Sequence, residues 1–295
     1  MSKRNHHLQP NFYLKGFCSD PDEKNPKVWV YEKGKPFDDD KNQKLQNPKH
    51  LTTVKAARKR DFYAFVKEDG TKDYEKYENI LWIEFEEPAK PVIEKIRRFE
   101  EIDDDEKMVL SKYIASMITR GDWWREIYMN HVLPSSEMEL ENWSPNEFSD
   151  KEIKEAKEFI KGQNIRSKEK LHKESIIRKA EDGSSRLVKM EWRFLVPPDN
   201  LNFFTSDKPV VYFDLHKTEG QLIFPISSSL ALSMTHKGYT EPEDWRSLDK
   251  NYWKVNAKTV ELIRNDIAVA AIKYVYFSEK REWLVGFINN RTKKL

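Results

Sequence analysis

The chain is poor in several things that would have classified it at once. Among 295 residues there is a single cysteine, Cys18, so no internal disulfide and no thiolate metal cluster is available, which points to a reducing, cytoplasmic setting. No window comes near the roughly 18 consecutive apolar residues of a membrane span, and the N-terminus carries charge and histidine where a signal peptide needs an apolar stretch. A net charge of one sign is also lacking: 52 basic residues face 50 acidic ones, a balance of +2. Bulk electrostatics therefore give no argument for nucleic acid, although Arg58, Lys59 and Arg60 form a short basic run. Gly-rich phosphate loops, serine nucleophile elbows, HExxH spacing, internal repeats and low-complexity tracts are missing as well.

What is present is a chain with 38% hydrophobic and 13% aromatic residues, enough to bury a substantial core in one large domain or two small ones. In the first 66 residues, "KVWVYEKGKPF" alternates and then meets a turn, the pattern of a β-hairpin; "KHLTTVKAARKRDFYAFV" reads as strand, short turn, strand. From Asp73 to about Met129 the spacing is helical. Ile80, Phe85, Val92, Ile93 and Ile96 form one stripe, which Pro88 and Pro91 should split or kink, and the acidic run Asp103–Glu106 suits the start of the next helix. Residues from about 135 to 185 are the most polar and read as two charged helices joined by a Gly-containing turn, a solvated excursion or a surface for a protein partner. After Gly183 aromatic and β-branched runs dominate, with a final helix in "NYWKVNAKTVELIRNDIAVAAIKYV" before "YVYFS" and "EWLVGFI". The class is α+β: a mainly antiparallel sheet from the N- and C-terminal thirds packed on a central helical segment.

Eight short stretches occur in a distinctive order: "HHLQPNFYLKGF", "VWVY", "DFYAF", "EEPAKPVIEKI", the arginine of "ITRGDWW", "FFTSDKPV", "FPIS" and "VN". In that order they resemble the DUF4238 family, which implies one domain over residues 1–295 with the segment 135–185 outside the resemblance. The family carries no assigned activity. Its signature positions fall here on His6, His7, Pro10, Tyr13, Leu14, Asp61, Phe62, Tyr63, Glu86, Arg120, Thr205, Ser206, Asp207, Pro209 and Asn256, with Glu84 and Glu87 standing beside Glu86. Leu8 stands where an aromatic residue often follows the histidines, and Ile226 where leucine is usual.

The polar members of that set suit phosphoryl chemistry. Histidine exchanges protons near neutral pH and arginine binds phosphate bidentately. The expectation is a hydrolase of phosphodiesters, with nucleic acid or a nucleotide as substrate. His6, His7, Glu86 and Asp207 would be the catalytic groups, and Arg120, Thr205, Ser206 and Asn256 the substrate contacts. Glu86 and Asp207 are also oxygen donors suited to a divalent metal. Neighbouring side chains of a strand point to opposite faces, so His6 and His7 cannot share one pocket in an extended segment. Each residue also has a plain structural reading: a buried histidine bonded to backbone, Asp207 capping amides in a turn, Arg120 paired with Glu86 or Asp61, Trp123 and Trp124 in the core, and Cys18 an inert thiol. On that side stands a non-catalytic module that binds a ligand or a protein, a regulator or toxin-like component among them.

Overall fold

The computed structural model describes residues 5–34, 48–67, 69–132, 151, 154, 165–213, 220–249 and 251–290. Two sheets carry the architecture. One has four strands in the order β3(Lys49–Thr52), β2(Lys27–Glu32), β14(Tyr274–Phe277) and β8(Thr205–Ser206), all antiparallel. The other has six, in the order β12(Arg246–Asp249), β13(Tyr252–Lys254), β7(Glu191–Val196), β11(Leu230–Thr235), β10(Gln221–Ser227) and β9(Val211–Phe213); only β13 and β7 run parallel. All of β11 is buried, which explains why "LALSMT" shows no alternation: a strand covered on both faces has no polar side.

The central helices pack against these sheets. The helical path from α3(Lys76–Leu81) to α4(Glu87–Arg97) is continuous, joined by a π-helical turn, Trp82–Glu86. The expected break at the prolines takes this form because Pro88 has no N–H to bond the carbonyl four residues back, and the wider turn absorbs the loss. The π-turn also changes which side chains face inward. Phe85 and Glu86 are buried, whereas Glu84 and Glu87 are exposed. Next, α5(Asp104–Thr119) opens on a reciprocal capping box, the Asp103 carboxylate accepting from the Glu106 amide while Glu106 accepts from the amide of Asp103. It leads into α6(Asp122–Ile127) and a second π-turn, Tyr128–Val132.

Three expectations are corrected. Thr53–Ala56 forms a helical turn, α2, between β3 and β4(Arg58–Arg60), where a plain turn between strands was expected. In the charged segment, Ile165–Leu187 is a helix, α7, that lies along α5, burying His172, Lys173, Ile176 and Ala180, while the expected Gly-containing turn before it lies outside the described residues. It is therefore no solvated excursion; the rest of that segment, apart from residues 151 and 154, lies outside the described residues. Glycine fits at 183 because a Cβ there would stand 3.2 Å from Ala115 Cβ on the facing helix. Finally, "EWLVGFI" is part of a helix, α9(Glu282–Asn290), after α8(Ala257–Ala270). Its Leu284 and Ile288, four apart, are buried, a helical spacing the short apolar run conceals. The expected hairpin partner of β2 is β3; residues 35–47 between them lie outside the described residues.

The N-terminal segment is held by the C-terminal third. In α1(Asn11–Lys15) Tyr13 is fully buried, its hydroxyl 2.7 Å from Thr205 Oγ1 and donating to the Pro225 carbonyl at 2.8 Å. Arg97 reinforces this, donating to the carbonyls of Phe12, Tyr13 and Ile226 at 3.2, 3.0 and 2.9 Å. Replacing Tyr13 by Phe leaves the Pro225 carbonyl and the Thr205 hydroxyl without their buried partner. The substitution should cost about 1–3 kcal/mol of unfolding free energy in urea titration.

Candidate functional site

The two adjacent histidines sit in a three-residue strand, β1(Asn5–His7), paired antiparallel with β4. They face opposite ways, and their rings are held in opposite tautomers. His6 is fully buried. The Tyr63 amide donates to His6 Nδ1 at 2.7 Å, so the proton is on Nε2, which donates to the Tyr74 carbonyl, also at 2.7 Å. Both nitrogens are thereby spent on backbone. His7 is half-buried, and the Arg58 Nε–H donates to its Nε2 at 3.0 Å. Its ring proton is therefore on Nδ1, which lies 3.4 Å from Glu78 Oε1. The same carboxylate accepts from the His7 amide at 3.2 Å. Burial alone would raise the Glu78 carboxyl, but its hydrogen bonds to the His7 ring and amide outweigh that and hold it below its ordinary range.

Behind His6 runs a buried ionic network. Arg120, 1% exposed, closes α5 and donates through Nη2 to Glu86 Oε1 at 2.5 Å and through Nε to the Tyr63 hydroxyl at 3.3 Å. Burial would lower the Arg120 guanidinium, but the Tyr63 oxygen and the Glu86 carboxylate more than offset it and keep the arginine charged. Burial raises the Tyr63 phenol. The choice among Glu84, Glu86 and Glu87 is thus decided by the π-turn, and the structural reading of Arg120 holds: its partner is Glu86, and Asp61 pairs with Arg60 at 3.8 Å. Asp61 itself has φ 55°, a left-handed conformation that starts the turn presenting the Tyr63 amide to His6.

The "TSD" stretch is spent on the backbone and on Tyr13. Thr205 meets Tyr13, and the Ser206 hydroxyl donates to the Lys208 carbonyl at 2.8 Å. The Asp207 carboxylate accepts three amides in succession, from Ile272, Lys273 and Tyr274 at 2.9, 2.7 and 3.1 Å, and so fixes the turn from α8 into β14. Burial pushes its carboxyl up against the pull of those amides. Beside it Lys33 Nζ donates to the carbonyls of Ala268, Val269 and Ala271, capping the end of α8. Asn256 is the N-cap of α8, its Oδ1 accepting the Thr259 amide at 2.7 Å. The expected pocket of His6, Glu86, Arg120 and Asp207 is therefore not assembled. His6, Glu86 and Arg120 share one buried network through Tyr63, while the Asp207 carboxylate faces the amides of 272–274.

Other assignments resolve simply. Trp123 is buried with Lys208 Nζ 4.4 Å over its ring, and Trp124 packs partly buried beside it. Cys18 is buried, its thiol pushed up to about 12 by desolvation. Among the described residues no group of three or more His, Cys, Asp and Glu side chains is gathered to hold a metal ion, and no helix is long and apolar enough to cross a membrane. Two residues were missed in the sequence: Glu78, whose signal is only its place on α3 facing β1, and Arg97, whose buried guanidinium looks in sequence like any basic helix end.

This arrangement defines an α+β protein whose signature residues chiefly join its N-terminal segment to its helical and C-terminal parts. The chain belongs to the DUF4238 family, described as proteins of unknown function, whose model matches residues 5–281 and so also spans the charged segment around 135–185. No curated protein matches the chain, and no solved structure does.

Two measurements follow from this geometry. Arg120→Met strands Glu86 in the core and should cost about 3–5 kcal/mol by urea unfolding, whereas the double variant Arg120→Met, Glu86→Leu should cost clearly less than the sum of the single changes. Because the Glu78 carboxyl is depressed in the fold, its contribution is fully present above its unfolded pKa of about 4.3 and is lost as pH falls through the folded value. The stability gap between the native protein and Glu78→Gln should thus be widest near neutral pH and close on acidification below about pH 4.3.

Proposed function

We propose that the protein is a hydrolase of phosphate esters, with nucleic acid or a nucleotide as substrate class, and that its reacting group is His7 rather than the buried set around Arg120. The observation that carries this reading is the arrangement around His7. Glu78 stands on the Nδ1 side and orients the ring, the lone pair of Nε2 points to the surface, and Arg58 lies against it. A carboxylate behind an imidazole fixes the tautomer that can accept a proton, the logic shared by unrelated hydrolases.

In the free protein Arg58 covers that lone pair. A phosphate oxygen competes for its guanidinium, because a charge-assisted bidentate contact is stronger than a bond to a neutral imidazole. With Arg58 turned onto phosphate, His7 Nε2 accepts a proton from water. The water oxygen forms a new bond to phosphorus, the ester P–O bond breaks, and the proton passes from His7 to the leaving oxygen. Arg60, directly exposed on the same strand, adds positive charge along the approach.

The test is turnover of RNA, single-stranded DNA and bis(p-nitrophenyl) phosphate, with and without Mg²⁺ or Mn²⁺. His7→Gln should lose about 100-fold or more in kcat, the ordinary share of a general base, and Arg58→Ala should chiefly raise KM. Equal rates for the native protein and His7→Gln would reject the hydrolase. The second reading, a non-catalytic binding module, is favoured by one observation: His6, Thr205, Asp207 and Asn256 all spend their polar atoms inside the fold. Under it the ribbon of β1 and β4 binds phosphate-bearing ligands without turnover, and His7→Gln leaves their affinity within about twofold because Arg58 supplies the phosphate contact.

A further inference from the structure

Helices α8 and α9 enclose a pocket of about 350 Å³, lined by Glu261 and Arg264 from the first and by Trp283 and Phe287 from the second. Its size is at the lower end of small-molecule sites. The spacings, three residues on α8 and four on α9, put each pair on one face of its helix, so the pocket has a charged wall and an aromatic wall.

Arg264 is 8% exposed, and a guanidinium so buried is ordinarily paired with a carboxylate. Here it is not. Its Nε and Nη2 both donate to one neutral acceptor, the Asn202 carbonyl, the former at 2.7 Å, and its Nη1 makes no hydrogen bond among the described residues. Burial lowers the guanidinium, against the attraction of Glu261. The acid that could have neutralised it from outside the helix is already spent: Glu279 accepts from Asn202 Nδ2 at 2.9 Å and pairs with Arg281. Glu261 is exposed and makes no ion pair or hydrogen bond among the described residues. One cation and one carboxylate therefore stand in the same pocket, neither of them satisfied by the other.

The aromatic wall is reachable. Phe287 meets Trp283 edge to face at 5.6 Å, and the Arg264 guanidinium stands 5.5 Å from the indole, yet 45% of Trp283 stays exposed. A simple anion at Arg264 would be repelled by Glu261, and a simple cation at Glu261 by Arg264. A ligand carrying both charges next to an apolar body meets all four side chains.

We propose that this pocket binds a free α-amino acid with an apolar side chain, its carboxylate on Arg264, its ammonium on Glu261 and its side chain along Trp283 and Phe287. The inference does not rest on the His7 reading. Calorimetric titration of the full chain with L-phenylalanine, phenylalaninamide, N-acetylphenylalanine and glycine tests it. Phenylalanine should bind saturably. The amide, which lacks the carboxylate, and the acetylated form, which lacks the ammonium, should each bind about tenfold or more weakly, the loss of one charged hydrogen bond. Glycine, without the apolar body, should also bind about tenfold or more weakly.

Phenylalaninamide reads the Arg264 contact without disturbing a residue that also holds Asn202 in place. Glu261→Gln, at an exposed position, reads the other contact: it should weaken phenylalanine by about tenfold and leave N-acetylphenylalanine as it was, because the acetylated ligand has no ammonium to lose. His7→Ala should leave phenylalanine binding unchanged. Absence of saturable phenylalanine binding overturns the proposal. So do equal affinities for phenylalanine and its two blocked forms, since the charges would then read nothing, and so does binding that Glu261→Gln leaves intact, since the ligand would then sit elsewhere.

Discussion

The contact between Arg120 and Glu86 sets the terms for the rest of the molecule. A charge with 1% exposure at the end of the central helix must be met, or the helix cannot end where it does. Glu86 meets it because the π-turn rotates the chain just before Pro88, and the turn therefore serves a purpose beyond accommodating a proline. Tyr63 meets it from the other side and ties the pair to His6, so helices α4 and α5, the 61–63 turn and strand β1 are joined through a single guanidinium. Removing either partner alone would leave an uncompensated charge in the core beside the seat of the N-terminal segment.

The same seating explains why two histidines stand side by side. In a strand one of them must point in and the other out, and the two environments assign them opposite ring protons. His6 closes a backbone gap that a hydrophobic side chain would leave open, since it supplies an acceptor to one main-chain group and a donor to another. His7 lies half-buried between Arg58 and Glu78. Adjacent identical residues thus do unlike work, and no reading that treats them as a pair describes either.

Much of this was legible in the chain and some of it was not. The α+β class, the helical middle and the strand-rich C-terminal third follow from periodicity, and the eight ordered stretches marked the family. The opposed histidines followed from the period of a strand. Terminal "EWLVGFI" was misread because a short run of apolar and aromatic residues suits either state until its packing is known. Asp207 drew attention as a carboxylate, yet its partners are amides some 65 residues on, and no local pattern announces a turn that distant. Glu78 and Arg97 were missed for the same reason: a charged residue on an amphipathic helix acquires meaning only from the strand or carbonyl set against it.

The pairing of β2 with β14 bears on how the protein is made. A strand at residues 27–32 finds its neighbour at 274–277, and Tyr13 waits for Thr205 and Pro225. During synthesis the N-terminal strands leave the ribosome long before their partners exist, with Val28, Val30 and Tyr31 lacking their neighbour strand until residues 274–277 have been translated. The central helices can associate early, through neighbours close in sequence. The four-stranded sheet cannot, so it is completed only once residues 274–277 are available, and the N-terminal strands are the part that needs protection from aggregation in the interval.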